Sequence, residues 1–179
     1  MKVFFSGGCK NGKSTLAERT VKALAGDGPL YYIATMIPHD EEDEQRIQRH
    51  IEQRAGMGFT TLEQGRDVLQ CLEQAVPDGA FLLDSVTALL SNEMFLPGGE
   101  TDLHAGGRVA AQLRELADRA KNIVFVSDFI YSDAGRYDSY TEAYRHGLAQ
   151  CDRALAEVCD TVVEVCAANP IIYKGGLPL

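Results

Sequence analysis

The stretch KVFFSGGCKNGKSTLAERT, residues 2–20, decides the fold. It runs from a short apolar segment through a glycine-rich turn into a sequence with the composition of a helix. The turn fits the spacing G-x-x-x-x-G-K-[ST], with Gly7, Gly12, Lys13 and Ser14 at the defined positions. Glycines at those positions allow backbone N–H groups to turn inward, which makes an anion-binding nest at a helix N-terminus. A chance match is the alternative, but the strand before the turn and the helix after it favour a phosphate-binding loop.

Length, composition and charge limit the class of protein. The chain has 179 residues, which is enough for one domain with a substantial core and short for two. Hydrophobic residues make up 45% and charged residues 24% of the chain, as in ordinary globular proteins. The formal net charge of −9 argues against a nucleic-acid partner, because such binding needs a basic face. We therefore predict a single domain over residues 1–179 and no nucleic-acid partner.

The distribution of apolar residues and cysteines bears on the compartment. No apolar run approaches the roughly 18 residues that a membrane span requires, and the apolar segment at the N-terminus is too short for a signal peptide. The five cysteines are odd in number and include no C-x-x-C pair, which favours reduced thiols over a disulfide framework or a zinc site. These features predict a cytoplasmic protein without a membrane span.

Short apolar runs alternate with longer amphipathic stretches along the chain. The predicted strands are residues 2–7, 30–36, 80–86, 123–129 and 160–170, with a short strand or loop at 59–64 and an edge hairpin at 171–176. The predicted helices are residues 13–26, 40–56, 67–76, 107–122 and 141–159, with a helix or turn at 87–95. Strands that alternate with helices in this way indicate an α/β fold, with a mostly parallel sheet and helices on both faces.

The lysine and the hydroxyl residue of such a loop have separate tasks. Lys13 is expected to reach the β- and γ-phosphates of a nucleotide, and the Ser14 hydroxyl is expected to bind Mg²⁺. A second acid, at the end of a buried strand, usually holds the ion through water. Asp84, which ends the run AFLLD, is the candidate for that acid. The alternative is an ordinary strand-end acid that caps the following helix.

His50 is surrounded by arginines on the predicted helix 40–56. Arg46 lies four residues before it, Arg54 four residues after it, and Arg49 is adjacent. Nearby cations lower the pKa of a histidine and keep the imidazole neutral, as a nucleophile must be. The same arginines could bind phosphate oxygens. On spacing alone, the favoured interpretation is a surface helix with Glu–Arg pairs in which His50 has no role.

Five segments together resemble the bifunctional adenosylcobinamide kinase/adenosylcobinamide-phosphate guanylyltransferase family of cobalamin biosynthesis, over almost the whole chain. VFFSGGCKNGKSTLAE (3–18) looks like the family's strand, P-loop and helix. DEEDEQRIQRHIEQR (40–54) looks like its D-x-E-x-x-x-R-I-x-x-H-x-x-x-R helix. YYIATM (31–36) and FTTLEQ (59–64) are similar to its second strand and its T-x-E segment. FLLDSVTALLSNEMF (81–95) is similar to its acid-ended strand, which an Asn follows.

This resemblance implies a P-loop NTPase fold with a RecA-like sheet, and a homotrimer in which the histidine helix lies near a neighbouring subunit. It implies that His50 takes GMP from GTP as a covalent phosphoramidate and that Lys13 serves phosphoryl transfer. It implies a corrinoid acceptor, GTP and ATP as substrates, and Mg²⁺ held by Ser14 and Asp84, partly through water. The implied nucleotide contacts are Gly7, Gly8, Cys9, Lys10, Asn11, Gly12, Lys13, Ser14, Ala34, Thr35, Met36, Ile51, Glu52, Gln53, Arg54, Glu63 and Asp84.

The chain also departs from the family's usual pattern near its C-terminal half. Asp128 and Phe129 stand where the family usually has Asn-Glu, and Cys151 and Asp152 stand where it usually has Asn-Gln. These departures favour, as an alternative, a P-loop kinase of another small metabolite or a member with one of the two activities. A non-catalytic nucleotide switch is the third possibility. The absence of an N-K-x-D sequence for reading guanine disfavours it.

Overall fold

Strands and helices alternate along the chain in the computed structural model, which describes residues 1–76 and 78–178. In chain order, the strands are β1 (Lys2–Gly7), β2 (Leu30–Ala34), β3 (Phe59–Glu63), β4 (Ala80–Asp84), β5 (Asn122–Val126), β6 (Thr161–Cys166) and β7 (Asn169–Lys174). The α-helices are α1 (Lys13–Ala25), α2 (Glu41–Arg54), α3 (Val86–Met94), α4 (Ala105–Arg119) and α5 (Ser139–Val158). A 3₁₀ helix covers Val68–Gln74.

The strands form one sheet in the order β3-β2-β4-β5-β1-β6-β7. Neighbouring strands are parallel from β3 through to β6, and β7 pairs with β6 in the antiparallel direction at the edge. Parallel strands that are covered on both faces are expected to be apolar along their length. Residues 80–83 of β4 and 123–126 of β5 are such apolar runs. Because strand β5 lies between β1 and β4, the phosphate loop and the end of β4 are separated by the width of one strand.

Helices cover both faces of this sheet, as the sequence predicts. Alternate residues of β1 show the two faces: Phe5 packs with Val21 of α1, whereas Phe4 packs in the cluster that contains Leu113 of α4 and Leu148 of α5. All five side chains are almost completely buried. The apolar run of β1 therefore holds two cores together, one under α1 and one under α3, α4 and α5.

Several element boundaries differ from those predicted from the sequence. The predicted helix 67–76 is a 3₁₀ helix, and the predicted strand 160–170 ends at Cys166. Ala167 and Ala168 both adopt positive φ, 48° and 63°, which turns the chain into β7. The open alternatives at 59–64 and 87–95 are resolved as a strand and a helix.

Two further observations concern membrane-spanning helices and the cysteines. No helix in the described part of the chain is long and apolar enough to cross a membrane. Each of the five cysteines is a free thiol: Cys71, Cys151 and Cys159 are buried, and Cys9 and Cys166 are exposed.

Candidate active site

The loop between β1 and α1 has the geometry of a phosphate-binding loop. Gly7 has φ +146°, and a Cβ at that position would overlap the carbonyl oxygen of Val165 in β6, so only glycine fits. Gly12 has φ +90° and stands directly before α1, whose first turn has no side-chain cap. The Asn11 side chain donates to the Val165 carbonyl, and the Ala168 N–H donates to the Asn11 carbonyl at 3.1 Å. The β6–β7 turn therefore fixes the loop around an open helix N-terminus.

Lys13 is buried, with 5% of its surface exposed. Its Nζ donates to the Gly8 carbonyl at 2.7 Å and to the Asp128 carboxylate at 2.8 Å. Asp128 follows β5, the strand beside β1. The lysine of the phosphate loop is therefore held between its own loop and an acid from the neighbouring strand.

A cavity of about 620 Å³ lies beside the ends of β2 and β4, against α2. Six residues that line it are predicted members of the nucleotide site: Ala34, Met36, His50, Arg54, Glu63 and Asp84. Asp128 also lines this cavity, and it is the residue that binds Lys13. The cavity and the phosphate loop therefore meet at Asp128.

His50 lines the cavity and is partly buried in α2. Burial lowers the pKa of His50, and the positive charges of Arg54, Arg46 and Arg49 act in the same direction. The carboxylate of Asp84 opposes them. The direction agrees with the sequence prediction, although burial, rather than the arginines, is the main cause. A lowered pKa favours the neutral imidazole, which is the form that can act as a nucleophile.

Arg54 lies on the same face of α2 as His50, because residues four positions apart share a helix face. It is 7% exposed, and its guanidinium carbon lies 3.4 Å from the centroid of the Tyr32 ring. Its Nη1 has no hydrogen-bond partner among the described residues. The Tyr32 hydroxyl donates to Asp84 at 3.0 Å. An arginine that lines the cavity and is held over an aromatic ring is suited to bind a phosphate oxygen.

The other predicted residues of these segments have different positions. Ile51, Glu52 and Gln53 are exposed on the remaining faces of α2 and do not line the cavity. Thr35 is buried, and its hydroxyl donates to the Ser85 carbonyl at 2.8 Å and accepts from the Ser85 N–H at 2.7 Å. The Thr35 side chain therefore joins the ends of β2 and β4 and does not face the cavity.

Three residues contribute to the site beyond those assigned from the sequence. Tyr32 orients Arg54 and Asp84, and strand alternation with Ala34 was the signal that could have indicated it. Asn92 donates to the Thr35 carbonyl at 2.7 Å and to the Gly65 carbonyl at 2.9 Å, which fixes the loop after β2. In the sequence, Asp128 stands out only because the family usually has Asn at this position. Its contact with Lys13 could not be predicted, because it depends on the order of the strands in the sheet.

The proposed metal ligands are of the right chemical type. Ser14 and Asp84 supply oxygen donors, which Mg²⁺ prefers, and both are partly exposed. No cluster of three or more His, Cys, Asp and Glu side chains able to hold a metal ion occurs within residues 1–76 and 78–178. Mg²⁺ commonly relies on one or two protein ligands together with substrate phosphates and water, so this sparse set fits the ion.

The sheet order, the glycine-rich loop and the acid at the end of β4 define a P-loop nucleotide-binding protein. The particular family follows from comparison with known proteins. The family model described as cobinamide kinase / cobinamide phosphate guanyltransferase (CobU) matches residues 3–172, and the chain belongs to this family of enzymes.

Individual relatives agree with this assignment. The bifunctional adenosylcobalamin biosynthesis protein CobU of Salmonella typhimurium is 40% identical over 105 residues, which are 57% of this chain and 55% of that protein. In that alignment the chain thus spans about half the length of its relative. The bifunctional adenosylcobalamin biosynthesis protein CobP of Pseudomonas aeruginosa is 29% identical over 178 residues, 98% of each chain.

A solved structure from Pyrococcus horikoshii OT3, described as a structural study of Project ID PH0250, is similar in fold. The TM-score is 0.52 and the identity 11%, with 97% of this chain and 86% of that chain covered. At that identity the likeness supports the fold alone.

Proposed function

We propose that this protein phosphorylates adenosylcobinamide with ATP or GTP, and then transfers GMP from GTP to the product through a covalent intermediate on His50. The final product is adenosylcobinamide-GDP, formed during assembly of the cobalamin nucleotide loop. One observation carries the proposal: His50, Arg54 and Asp84 line a single cavity, and Asp128 joins that cavity to Lys13 of the phosphate loop. His50, whose pKa is lowered, therefore shares one site with two groups that can bind phosphate, the Arg54 guanidinium and the phosphate loop with Lys13.

In the kinase stage, Lys13 and the backbone N–H groups at the start of α1 bind the phosphates of the nucleotide. The aminopropanol hydroxyl of adenosylcobinamide attacks the γ-phosphorus, and the nucleoside diphosphate leaves. Ser14 and Asp84 would hold Mg²⁺, which would supply further neutralisation of the phosphate charge. Because phosphoryl transfer depends mainly on positioning and charge, a fixed loop with a buried lysine is the required machinery.

In the guanylyl stage, a neutral His50 nitrogen attacks the α-phosphorus of GTP, and the bond to the pyrophosphate oxygen breaks. Arg54, which lines the same cavity as His50, stabilises the charge on the phosphoryl oxygens. A phosphate oxygen of adenosylcobinamide phosphate then attacks the same phosphorus, and the P–N bond to His50 breaks. Covalent catalysis divides one difficult transfer into two easier ones.

We propose in addition that the protein acts in the cytoplasm as a homotrimer. The exposure of α2 supports the oligomer: Arg54 is the one buried residue of this helix, and Ile51 is 46% exposed. A helix that carries a nucleophile and has so little cover within its own chain gains cover and rigidity from a neighbouring subunit.

The test of the histidine intermediate is covalent labelling. The protein is incubated with Mg²⁺ and GTP labelled at the α-phosphorus, denatured in base and compared with His50→Ala. The matched control is His39→Ala, because His39 is exposed, precedes α2 and does not line the cavity. We expect an acid-labile, base-stable label on the wild type and on His39→Ala, and none on His50→Ala. A label that persists on His50→Ala would contradict the assignment.

A second candidate is a P-loop kinase without the guanylyl stage. It is favoured by the carboxylates of Asp128, which binds Lys13, and of Asp152, which lies near Asp128, because the family usually has amides at both positions. Transfer of the γ-phosphoryl group to adenosylcobinamide with no label from α-labelled GTP would support this candidate. Transfer of the γ-phosphoryl group to a different small alcohol, and not to adenosylcobinamide, would show that the acceptor substrate is also a different one.

A further inference from the structure

Asp128 occupies a fixed position between the phosphate loop and α3. The backbone N–H groups on either side of it, those of Ser127 and Phe129, donate to the carbonyls of Phe5 and Gly7 in β1 at 3.0 and 2.9 Å. Its own N–H donates to the Thr87 hydroxyl of α3 at 2.9 Å. The first two hydrogen bonds extend the pairing of β5 with β1 beyond the last residue of β5, and all three together fix the Asp128 backbone.

The carboxylate of Asp128 faces two features at once. It lies 2.8 Å from the Lys13 Nζ, and it lines the cavity beside the ends of β2 and β4. Its side chain is 22% exposed, so one oxygen can accept from Lys13 while the other remains open to a ligand. In a P-loop protein the lysine contacts the γ-phosphate. A carboxylate beside that lysine therefore stands next to the phosphorus that is attacked.

We propose that Asp128 is a catalytic residue of the phosphoryl-transfer step, a role that rests on the proposed kinase function. It accepts a hydrogen bond from the acceptor hydroxyl and takes its proton as the oxygen attacks the γ-phosphorus. The new O–P bond forms while the bond between the γ-phosphorus and the β-phosphate oxygen breaks. The nucleoside diphosphate leaves with that electron pair, and Asp128 later releases the proton to water. An aspartate with this task is a known component of kinase sites.

The rival role for Asp128 is neutralisation of Lys13 in the empty site. The two roles predict opposite effects for Asp128→Asn, which keeps the shape and a hydrogen-bond acceptor for Lys13 but cannot take a proton. A neutralising carboxylate opposes nucleotide binding, so its loss would tighten binding and leave the transfer rate intact. A proton acceptor is needed in the transition state, so its loss lowers kcat.

The experiment compares wild type, Asp128→Asn and the control Asp78→Asn. Asp78 forms an exposed ion pair with Lys121 at 3.1 Å, ahead of β4 and away from the ends that carry the site. Each protein is assayed for γ-phosphoryl transfer to adenosylcobinamide, for nucleotide KM and for the base-stable label from α-labelled GTP. We expect kcat of Asp128→Asn to fall by about 10²- to 10⁴-fold. Its nucleotide KM and label should match those of the control.

Two results would overturn the role of Asp128. One is a kcat within about threefold of wild type together with a lower nucleotide KM, which assigns Asp128 to neutralising Lys13. The other is joint loss of transfer, nucleotide binding and label, which assigns it a structural role. If the wild type does not phosphorylate adenosylcobinamide, the proposed function fails. In that case the rate of nucleotide hydrolysis in the same samples tests Asp128. A lower hydrolysis rate for Asp128→Asn than for wild type supports the role, and equal rates overturn it.

Discussion

Asp152 is a carboxyl group buried in α5, with 4% of its surface exposed. Its Oδ2 accepts a hydrogen bond from the Tyr131 hydroxyl at 3.0 Å. Burial raises the pKa of Asp152 to about 6, and the negative charge of Asp128 acts in the same direction. The folded protein therefore holds this proton more tightly than the unfolded chain, in which the pKa is near 3.8.

Because the pKa of Asp152 is higher in the folded protein than in the unfolded chain, replacing Asp152 by a residue that cannot ionise should stabilise the protein. The stabilisation that Asp152 provides is fully present below pH 3.8 and is lost as the pH rises through about 6. Asp152→Asn, which cannot ionise, should therefore raise the free energy of unfolding at pH 7.5 by about 1–3 kcal/mol. The gain should be clearly smaller at pH 4.5.

Urea unfolding at the two pH values measures this difference. The control is Asp118→Asn, because Asp118 is an exposed carboxylate whose only ion-pair partner among the described residues is Lys2, at 3.8 Å. Its effect should stay within about 0.5 kcal/mol. An equal gain for Asp152→Asn at both pH values, or a loss at pH 7.5, would contradict the assigned ionisation.

At the scale of the elements, α4 and α5 touch through two glycines. A Cβ on Gly106 would overlap the Cα of Gly147, and a Cβ on Gly147 would lie 3.1 Å from the Cα of Gly106. The backbones of the two helices are therefore in direct contact, with the Cys151 Sγ 3.7 Å from the Gly106 carbonyl. The adjacent Gly107 has open space around it.

These neighbouring glycines give a matched pair of substitutions. Gly107→Ala should stabilise the protein by about 0.5–1 kcal/mol, because alanine has the higher helix propensity. Gly106→Ala should destabilise it by about 1–3 kcal/mol, because the added methyl group forces the helices apart. Thermal and urea unfolding of both variants measure the difference. Equal effects of the two substitutions would show that α4 and α5 do not meet at this point.

The geometry of α2 also belongs to the element scale. Its sequence spacing places His50 and Arg54 on one face, and the structure directs that face at the cavity. Asp40 begins the helix by accepting a hydrogen bond from the Asp43 N–H at 2.9 Å. Helical periodicity alone places the two residues on one face, whereas the contact of Arg54 with Tyr32 of β2 decides which face meets the cavity.

At the scale of the whole molecule, the homotrimer is the main prediction. Light scattering should give three times the mass of one chain. Ile51→Lys should reduce that mass, because a charge would be placed where α2 meets its neighbour. Ile172→Lys is the control: Ile172 of β7 is exposed to the same extent, 46%, on another part of the surface. A wild-type mass of one chain, or dissociation by both variants alike, would contradict the role proposed for α2.

The sequence by itself determined the α/β class, the parallel sheet and the phosphate loop. These follow from local signals: apolar runs, helical periodicity, and glycines at positions such as Gly7, where the backbone requires φ +146°. His50 and Asp84 could also be named, since the resemblance rests on short contiguous motifs. Local signals were sufficient for the fold and the loop, whereas His50 was named only through the family motif.

Tertiary structure decided which of these groups act together. Strand β5 enters the sheet between β1 and β4 although it follows both in the chain, and this order brings Asp128 to Lys13, 115 residues away in sequence. Tyr32 likewise meets Asp84 because β2 pairs with β4, and it meets Arg54 because α2 folds back over the end of β2. Local patterns predict elements, but the order of strands in the sheet depends on how all the apolar faces are buried at once. The contacts that complete the site therefore exist only in the folded chain.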